Sequence, residues 1–134
     1  MKIRTRSIIA VLLAFLIGFV SAFPVADIKT KTTKKQTDWS VEDSKSYALD
    51  QLLDWHYKEY RCLVKLWTKE SNWRPEAFNK IKVMGKNAGG IPQLLGLDPK
   101  TPPTIQIDRG LKYIYHRYDT PCNAWAFFQK KGYH

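Results

Sequence analysis

The 134-residue chain has few residues that could build a metal centre and no long apolar run. Its two cysteines have no histidine neighbours at zinc-ligand spacing, and its three histidines are scattered, so we expect no metal and no cofactor. The longest apolar run, from Ile8 to Val20, is shorter than the roughly 20 residues of a membrane-spanning helix. There is no internal repeat, no long low-complexity tract and no recognisable nucleic-acid-binding motif, so we expect no nucleic-acid partner.

The amino terminus has the three-part layout of a secretory signal peptide. Three positive charges (Lys2, Arg4, Arg6) precede the apolar run, and the small residues Val20 and Ala22 fit the −3 and −1 positions of a cleavage site. We predict a signal peptide over residues 1–22 and a secreted, extracytoplasmic product. The alternative is an uncleaved N-terminal anchor.

Residues 23–38 are polar, lysine-rich and without periodicity, which predicts a basic flexible arm. The arm either contacts a wall or membrane surface or is a solvated linker. The formal charge is +10 for the whole chain, and removing the three charges of the predicted signal peptide leaves +7. A small secreted domain with this charge is attracted to polyanions, among them anionic cell-wall polymers, anionic lipid and nucleic acid.

Residues 39–134 predict one mainly α domain with a single core. Ser40 resembles an N-cap for a first helix that runs to about Tyr57, and a second helix begins near Tyr60 and is ended or redirected by Pro75. Residues 80–100 are rich in glycine and proline, which predicts a loop or short hairpin. Two further helices are predicted to start at prolines, the third near Pro102 and Pro103 and the last at Pro121.

Two positions in these helices carry further expectations. Gly110 lies in the middle of the third helix, where glycine costs about 1 kcal/mol against alanine, so either something approaches it closely or the position is suboptimal. Cys122, Trp125, Ala126 and Gln129 form the predicted apolar stripe of the last helix. Cys62 and Cys122 are an even pair in an exported chain, which favours a disulfide over two free buried thiols.

Glu70 occupies a position where a core residue is expected. It completes a stripe at helical spacing formed by Leu63, Leu66, Trp67 and Glu70. A carboxyl among apolar side chains is poorly solvated, and glycoside cleavage uses a carboxylic acid that keeps its proton. The pattern alone is equally compatible with a glutamate that caps a neighbouring helix or pairs with Arg74 or Arg109.

Aromatic residues make up 13% of the chain, and many lie outside the clear core stripes. Such rings can stack on the apolar faces of sugars, or they can complete a small core. The residues concerned are Trp39, Trp73, Tyr113, Tyr115, Phe128 and Tyr133.

Four segments in order resemble the soluble lytic transglycosylase domain of the lysozyme superfamily, most closely its small secreted actinobacterial-type form. They read LWTKESNW, AGGIPQLL, PPTIQIDRGLKYIYHRY and TPCNAWAFFQKKGYH, and the resemblance covers residues 45–134. It implies a lysozyme-like fold, a monomer at the cell wall, and cleavage of the β-1,4 bond between N-acetylmuramic acid and N-acetylglucosamine in peptidoglycan strands. It also implies that the products end in a 1,6-anhydro ring and that no cofactor takes part.

The resemblance assigns roles to individual residues. Glu70 matches the single catalytic acid/base, and Ser71 matches the serine that helps position substrate. Gly90, Ile91 and Gln93 match the motif that shapes the cleft, where Gln93 offers an amide to an N-acetyl group. Tyr113 matches an aromatic residue that faces the acid across the cleft. Gly110 matches a close-packed helix glycine, and Cys62 and Cys122 match paired cysteines.

The chain departs from the family pattern in two places. Ala88-Gly89-Gly90 lacks the aromatic residue that many members have before the glutamine motif. The late Ala-Tyr-Asn motif of larger relatives reads Ala126-Phe127-Phe128 here, which leaves Gln129 as the replacement for a substrate-side asparagine. Both departures affect binding subsites and leave the acid unchanged.

Three alternatives remain open from the sequence. A lysozyme-type hydrolase would use water as the acceptor and a second carboxylate, for which Glu76, Asp98 and Asp108 are the candidates. A non-catalytic domain on the same scaffold would hold glycan without cutting it. A basic secreted toxin or nucleic-acid-binding protein is the third alternative. His56, His116 and His134 are assigned surface or core roles.

Overall fold

A computed structural model of the protein describes residues 38–52 and 55–134. The predicted signal peptide and the arm up to residue 37 lie outside the described residues. The described residues belong to one compact unit. The elements of the described part are α1 (Val41–Gln51), α2 (Tyr57–Ser71), β1 (Phe78–Val83), β2 (Lys86–Gly89), β3 (Leu94–Leu95), α3 (Pro103–Tyr118) and α4 (Pro121–Lys131).

Helix α1 begins where the sequence predicts and ends earlier. Ser40 Oγ accepts a hydrogen bond from the Asp43 backbone N–H, and Asp43 accepts one from the Ser40 backbone N–H, which is a complete capping box. The predicted end near Tyr57 is wrong, because Leu52 leaves the helical conformation and closes the last turn with a bond to the Leu49 carbonyl. Tyr57 instead opens α2, three residues before the predicted start.

Helix α2 forms the centre of the core. Leu63, Leu66 and Trp67 are fully buried, as the stripe predicts, and Trp73 packs edge-on against Trp67 with ring centroids 5.1 Å apart. The helix ends at Ser71, because Asn72 adopts a left-handed conformation with φ of 51°. It therefore ends before Pro75 is reached.

The predicted excursion near residues 80–100 is a small three-stranded antiparallel sheet in the order β1-β2-β3. Met84 and Gly85 both have positive φ, which suits the tight turn between β1 and β2. Every residue of β1 is exposed, so this strand has no buried face. The sheet lies between α2 and α3 in the chain and adds little to the core, so the described fold is mainly α, as predicted.

Helices α3 and α4 start at Pro103 and Pro121, as predicted. The close approach expected at Gly110 is confirmed, because a Cβ there would lie 2.6 Å from Trp67 Cζ2 and 2.7 Å from Pro92 Cβ. The glycine thus lets α3 and the loop that contains Pro92 pack against the central tryptophan.

The predicted apolar stripe of α4 is wrong by one residue. Ala126 and Gln129 are exposed. The face that packs on the core is formed one position earlier by Pro121, Ala124, Trp125 and Phe128. Because Cys122 is committed to a disulfide and is only half-buried, it lies at the edge of the packed face and not at its centre.

A disulfide between Cys62 and Cys122 joins α2 to α4 and confirms the predicted pair. Beside it, Glu59 Oε2 accepts a hydrogen bond of 2.7 Å from the Cys122 backbone N–H, which satisfies a free donor at the start of α4. Such a bridge is typical of proteins that fold in an oxidising, extracellular compartment. None of the helices in the described ranges is both long and apolar enough to span a bilayer.

Candidate active site

Glu70 lies in the last turn of α2, on the helix face that the stripe predicts. Its side chain is 14% exposed, so the carboxyl is largely withdrawn from water but still reaches the surface. Its partner is His134, whose Nδ1 lies 2.8 Å from Glu70 Oε1. The sequence also allows Glu70 to pair with Arg74 or Arg109. In the structure the Arg74 Nε donates to the Ser71 carbonyl.

An aromatic wall surrounds this pair. The side chain of His134 is 3% exposed, and the Tyr113 and Tyr118 rings lie 5.8 and 6.5 Å from its ring. Phe127 of α4 packs on Tyr118 at 5.3 Å, and Tyr133 packs edge-on against Phe127 at 5.7 Å. His134 therefore links Glu70 of α2 to the aromatic rings of α3, and Phe127 of α4 packs on one of those rings.

Tyr113 is the predicted aromatic partner of the acid, and the structure places it in this wall. Burial raises the pKa of its hydroxyl above the ordinary 10.0, and the charges of Tyr118 and Glu70 act in the same direction while Arg117 opposes them. Tyr113 is therefore a neutral phenol at physiological pH and can donate a hydrogen bond.

Ser71 connects the helix of Glu70 to the loop at residues 90–93. Its hydroxyl donates to the Ile91 carbonyl at 2.7 Å and to the Trp67 carbonyl at 3.4 Å, and the residue is 4% exposed. The resemblance gave this serine a place beside the substrate. In the structure its donor is used inside the protein, so its described contacts fix the loop against α2.

The loop itself is held by a buried glutamine that the sequence did not single out. Gln106 of α3 is fully buried, and its Oε1 accepts from the Ile91 backbone N–H at 2.8 Å. Its Nε2 lies within hydrogen-bond distance of three carbonyls, those of Pro75, Pro99 and Thr101. Gly90 has φ of +73°, and a Cβ on it would overlap the Gln106 carboxamide, so this glycine is required by packing as well as by conformation.

The two predicted glutamines have different surroundings. Gln93 is half-buried, and its Nε2 donates to the Gly90 carbonyl at 2.9 Å and to the Ala77 carbonyl at 3.3 Å. These bonds use the N–H groups of the amide. Its carbonyl oxygen accepts no hydrogen bond from residues 38–52 or 55–134. Gln129 lies exposed near the end of α4.

Other carboxylates in the described residues have different partners. Asp108 accepts hydrogen bonds from the Tyr47 hydroxyl at 3.1 and 3.3 Å, and Asp98 accepts from the Lys100 backbone N–H at 2.8 Å. Glu76 is exposed after the end of α2. Among the aromatic residues that could stack on sugars, Trp73 is buried in the core. Tyr115 and Tyr133 are each 58% exposed.

A separate surface depression of about 340 Å³ lies between the β1–β2 hairpin and the segment that follows β3. Phe78 and Leu97 supply apolar surface, and Lys82, Asn87 and Asp98 supply polar groups. Glu70 does not line it. The depression and the carboxyl are therefore distinct features of the surface.

The sequence led to Glu70, Tyr113 and the Gly90–Gln93 loop, and it missed His134 and Gln106. His134 is 64 residues from Glu70 and belongs to no helical stripe, so no pattern connects the two. Gln106 had a weak signal, because it lies between the two isoleucines 105 and 107 at the start of α3. Comparison of the chain with models of protein families, with curated proteins and with solved structures found no match.

Proposed function

We propose that the protein is a peptidoglycan-cleaving lytic transglycosylase with a lysozyme-like fold, exported and associated with the cell wall. Glu70 is its single acid/base. The observation that supports this most strongly is the position of that carboxyl. It lies at the end of a core helix, 14% exposed, and is hydrogen-bonded to a histidine whose ring packs against Tyr113.

The proposed reaction uses Glu70 twice. In its acid form Glu70 gives its proton to the glycosidic oxygen as the bond from C1 of N-acetylmuramic acid to that oxygen breaks. The oxocarbenium-like sugar is assisted by its own N-acetyl oxygen. The carboxylate then takes the proton of the C6 hydroxyl while O6 bonds to C1, which closes a 1,6-anhydro ring and restores the acid. No water, metal or cofactor enters this balance.

The rest of the site supports binding of a glycan strand. Tyr113 offers a ring beside His134, and Gln93 has an amide oxygen available for an N-acetyl N–H. Gly90 and Ile91 hold the loop that carries Gln93, and Ser71 fixes that loop to α2. Gln129 is a candidate for an outer subsite on α4. The positive net charge favours approach to anionic wall polymers.

We prefer a mechanism with one carboxylate over a hydrolase because a hydrolase also needs a second carboxyl near the acid. Retaining and inverting hydrolases hold a second carboxyl about 5–10 Å from the acid. The sequence offered Glu76, Asp98 and Asp108 for this role. Asp98 accepts from the Lys100 N–H, Asp108 accepts from the Tyr47 hydroxyl and Glu76 is exposed, and among the described residues none of the three has a hydrogen bond with Glu70. The proposal therefore needs only Glu70.

The experiment is a digest of purified peptidoglycan with wild-type protein, Glu70→Gln and Glu42→Gln. The Glu42 control removes an equal charge from an exposed position in the first turn of α1. We expect Glu70→Gln to lower the rate of soluble muropeptide release about 100-fold or more, because it removes the transferable proton. Glu42→Gln should release fragments at the wild-type rate.

A co-sedimentation assay with insoluble peptidoglycan separates catalysis from binding in the same preparations. Glu70→Gln should sediment with the wall as wild type does, because the amide preserves the shape of the side chain. If Glu70→Gln releases fragments at the wild-type rate, Glu70 is not the acid. If well-folded wild-type protein sediments with the wall and releases nothing, the protein is a glycan-binding domain and the proposed activity is wrong.

A further inference from the structure

The histidine beside Glu70 is more deeply buried than the acid it contacts. His134 has a side-chain exposure of 3% against 14% for Glu70, and its Nδ1 lies 2.8 Å from Glu70 Oε1. The rings of Tyr113 and Tyr118 lie within 6.5 Å of its own ring and limit its movement. Water screens a bond in these surroundings poorly, so the bond acts strongly on the orientation of the carboxyl.

The second ring nitrogen of His134 indicates where the proton of the neutral imidazole lies. Nε2 is buried and has no hydrogen-bond partner among the described residues. The Glu70 carboxylate can only accept, so a hydrogen bond from the ring to Oε1 requires a hydrogen on Nδ1. A neutral ring therefore carries its hydrogen on Nδ1, where it donates to Glu70 Oε1, and leaves the lone pair of Nε2 unused.

We propose that His134 is a positioning residue that assigns different tasks to the two oxygens of Glu70. The Nδ1–H group holds Oε1 as an acceptor in both protonation states of the carboxyl, as a carbonyl oxygen in the acid and as an anionic oxygen in the base. The transferable proton then occupies Oε2. In the part of the chain that the structure describes, Oε2 makes no hydrogen bond. The inference rests on the proposed function, because it concerns the delivery of that proton.

The first arm of the test compares two full-length variants. His134→Asn places an amide N–H at the position of Nδ1, and His134→Phe keeps a ring without a donor. We expect the phenylalanine variant to lose 10- to 100-fold in kcat with KM within about twofold of wild type, because the acid is present but misoriented. The asparagine variant should recover most of that loss. A residue that only supports folding would not lower kcat while leaving KM unchanged.

The second arm reads the tautomer directly and does not depend on cleavage. In full-length ¹⁵N-labelled protein, the ring nitrogens of His134 are assigned by their loss in His134→Asn. Wild type should show hydrogen on Nδ1 at neutral pH, and Glu70→Ala should reduce that preference, because the acceptor is gone. A hydrogen on Nε2 in wild type overturns the inference whatever the activity.

The two arms distinguish failure of the inference from failure of the proposed function. If wild type cleaves peptidoglycan and His134→Phe has an unchanged kcat, the positioning role is wrong and the proposed function stands. If folded wild type cleaves nothing, both are wrong, and an Nδ1–H tautomer then reports only a structural bond. Thermal unfolding of each variant establishes that the compared proteins are folded.

Discussion

At the residue scale, two glycines allow the loop at residues 90–93 to pack closely against the core. Gly110 lets Trp67 and Pro92 meet α3, and Gly90 leaves room for the Gln106 carboxamide. Pro92 and Gly90 belong to the loop that Ser71 ties to the helix of Glu70. The position of this loop against α2 and α3 therefore depends on two glycines that carry no Cβ.

Gly110→Ala tests this dependence, because helix propensity and packing predict opposite changes in the free energy of unfolding. Helix propensity alone predicts a gain of about 1 kcal/mol in the free energy of unfolding. The structure predicts a loss of about 1–3 kcal/mol, because the added methyl group overlaps Trp67 and Pro92 and overpacks the core. Urea denaturation of wild type, Gly110→Ala and Lys112→Ala measures the difference. Lys112 is exposed on the same helix and should change stability by less than about 0.5 kcal/mol; a stabilised Gly110→Ala would contradict the packing.

At the element scale, α4 completes the site because it is fastened to α2 at its first turn. The Cys62–Cys122 bridge and the bond from the Cys122 N–H to Glu59 lie side by side. Beyond this attachment α4 carries Phe127, and the chain continues to His134 beside the acid. The orientation of α4 thus controls whether the histidine reaches Glu70.

The double variant Cys62→Ser/Cys122→Ser should lose about 4 kcal/mol of unfolding free energy, because the bridge closes a loop of 60 residues in the unfolded chain. Urea unfolding with and without reductant checks this. Wild type should become as sensitive as the variant when reduced, and the variant should not respond to reductant. A wild-type midpoint that is unaffected by reductant would show that the bridge does not stabilise the fold.

At the scale of the whole molecule, local signals predicted most of the helical frame. Ser40 and Pro121 mark helix starts through capping and fixed φ, and these requirements are local to the chain. The stripe on α2 follows from helical period alone, which is why Glu70 could be singled out before its surroundings were known. The cysteine pair followed from the count and the predicted compartment.

Other features depend on contacts that the sequence does not contain. The end of α1 at Gln51 reflects a local loss of helical geometry in a segment whose composition still allows helix. The strand β1 is exposed on both faces, so it lacks the alternation by which strands are recognised. The bond between His134 and Glu70 joins residues 64 positions apart, and the Gln106 clamp gathers backbone groups from several loops. These contacts exist only once the helices have packed.

The proposed reaction of Glu70 uses no water, and a digest in labelled water tests this. Peptidoglycan is treated with wild-type protein in water labelled with oxygen-18, and the released muropeptides are weighed by mass spectrometry. We predict 1,6-anhydro ends that are lighter than reducing ends by one water and carry no label, and we predict their absence from the Glu70→Gln digest. Labelled reducing ends in excess of those in the Glu70→Gln digest would contradict the proposed reaction, because they would make the protein a hydrolase with water as the acceptor.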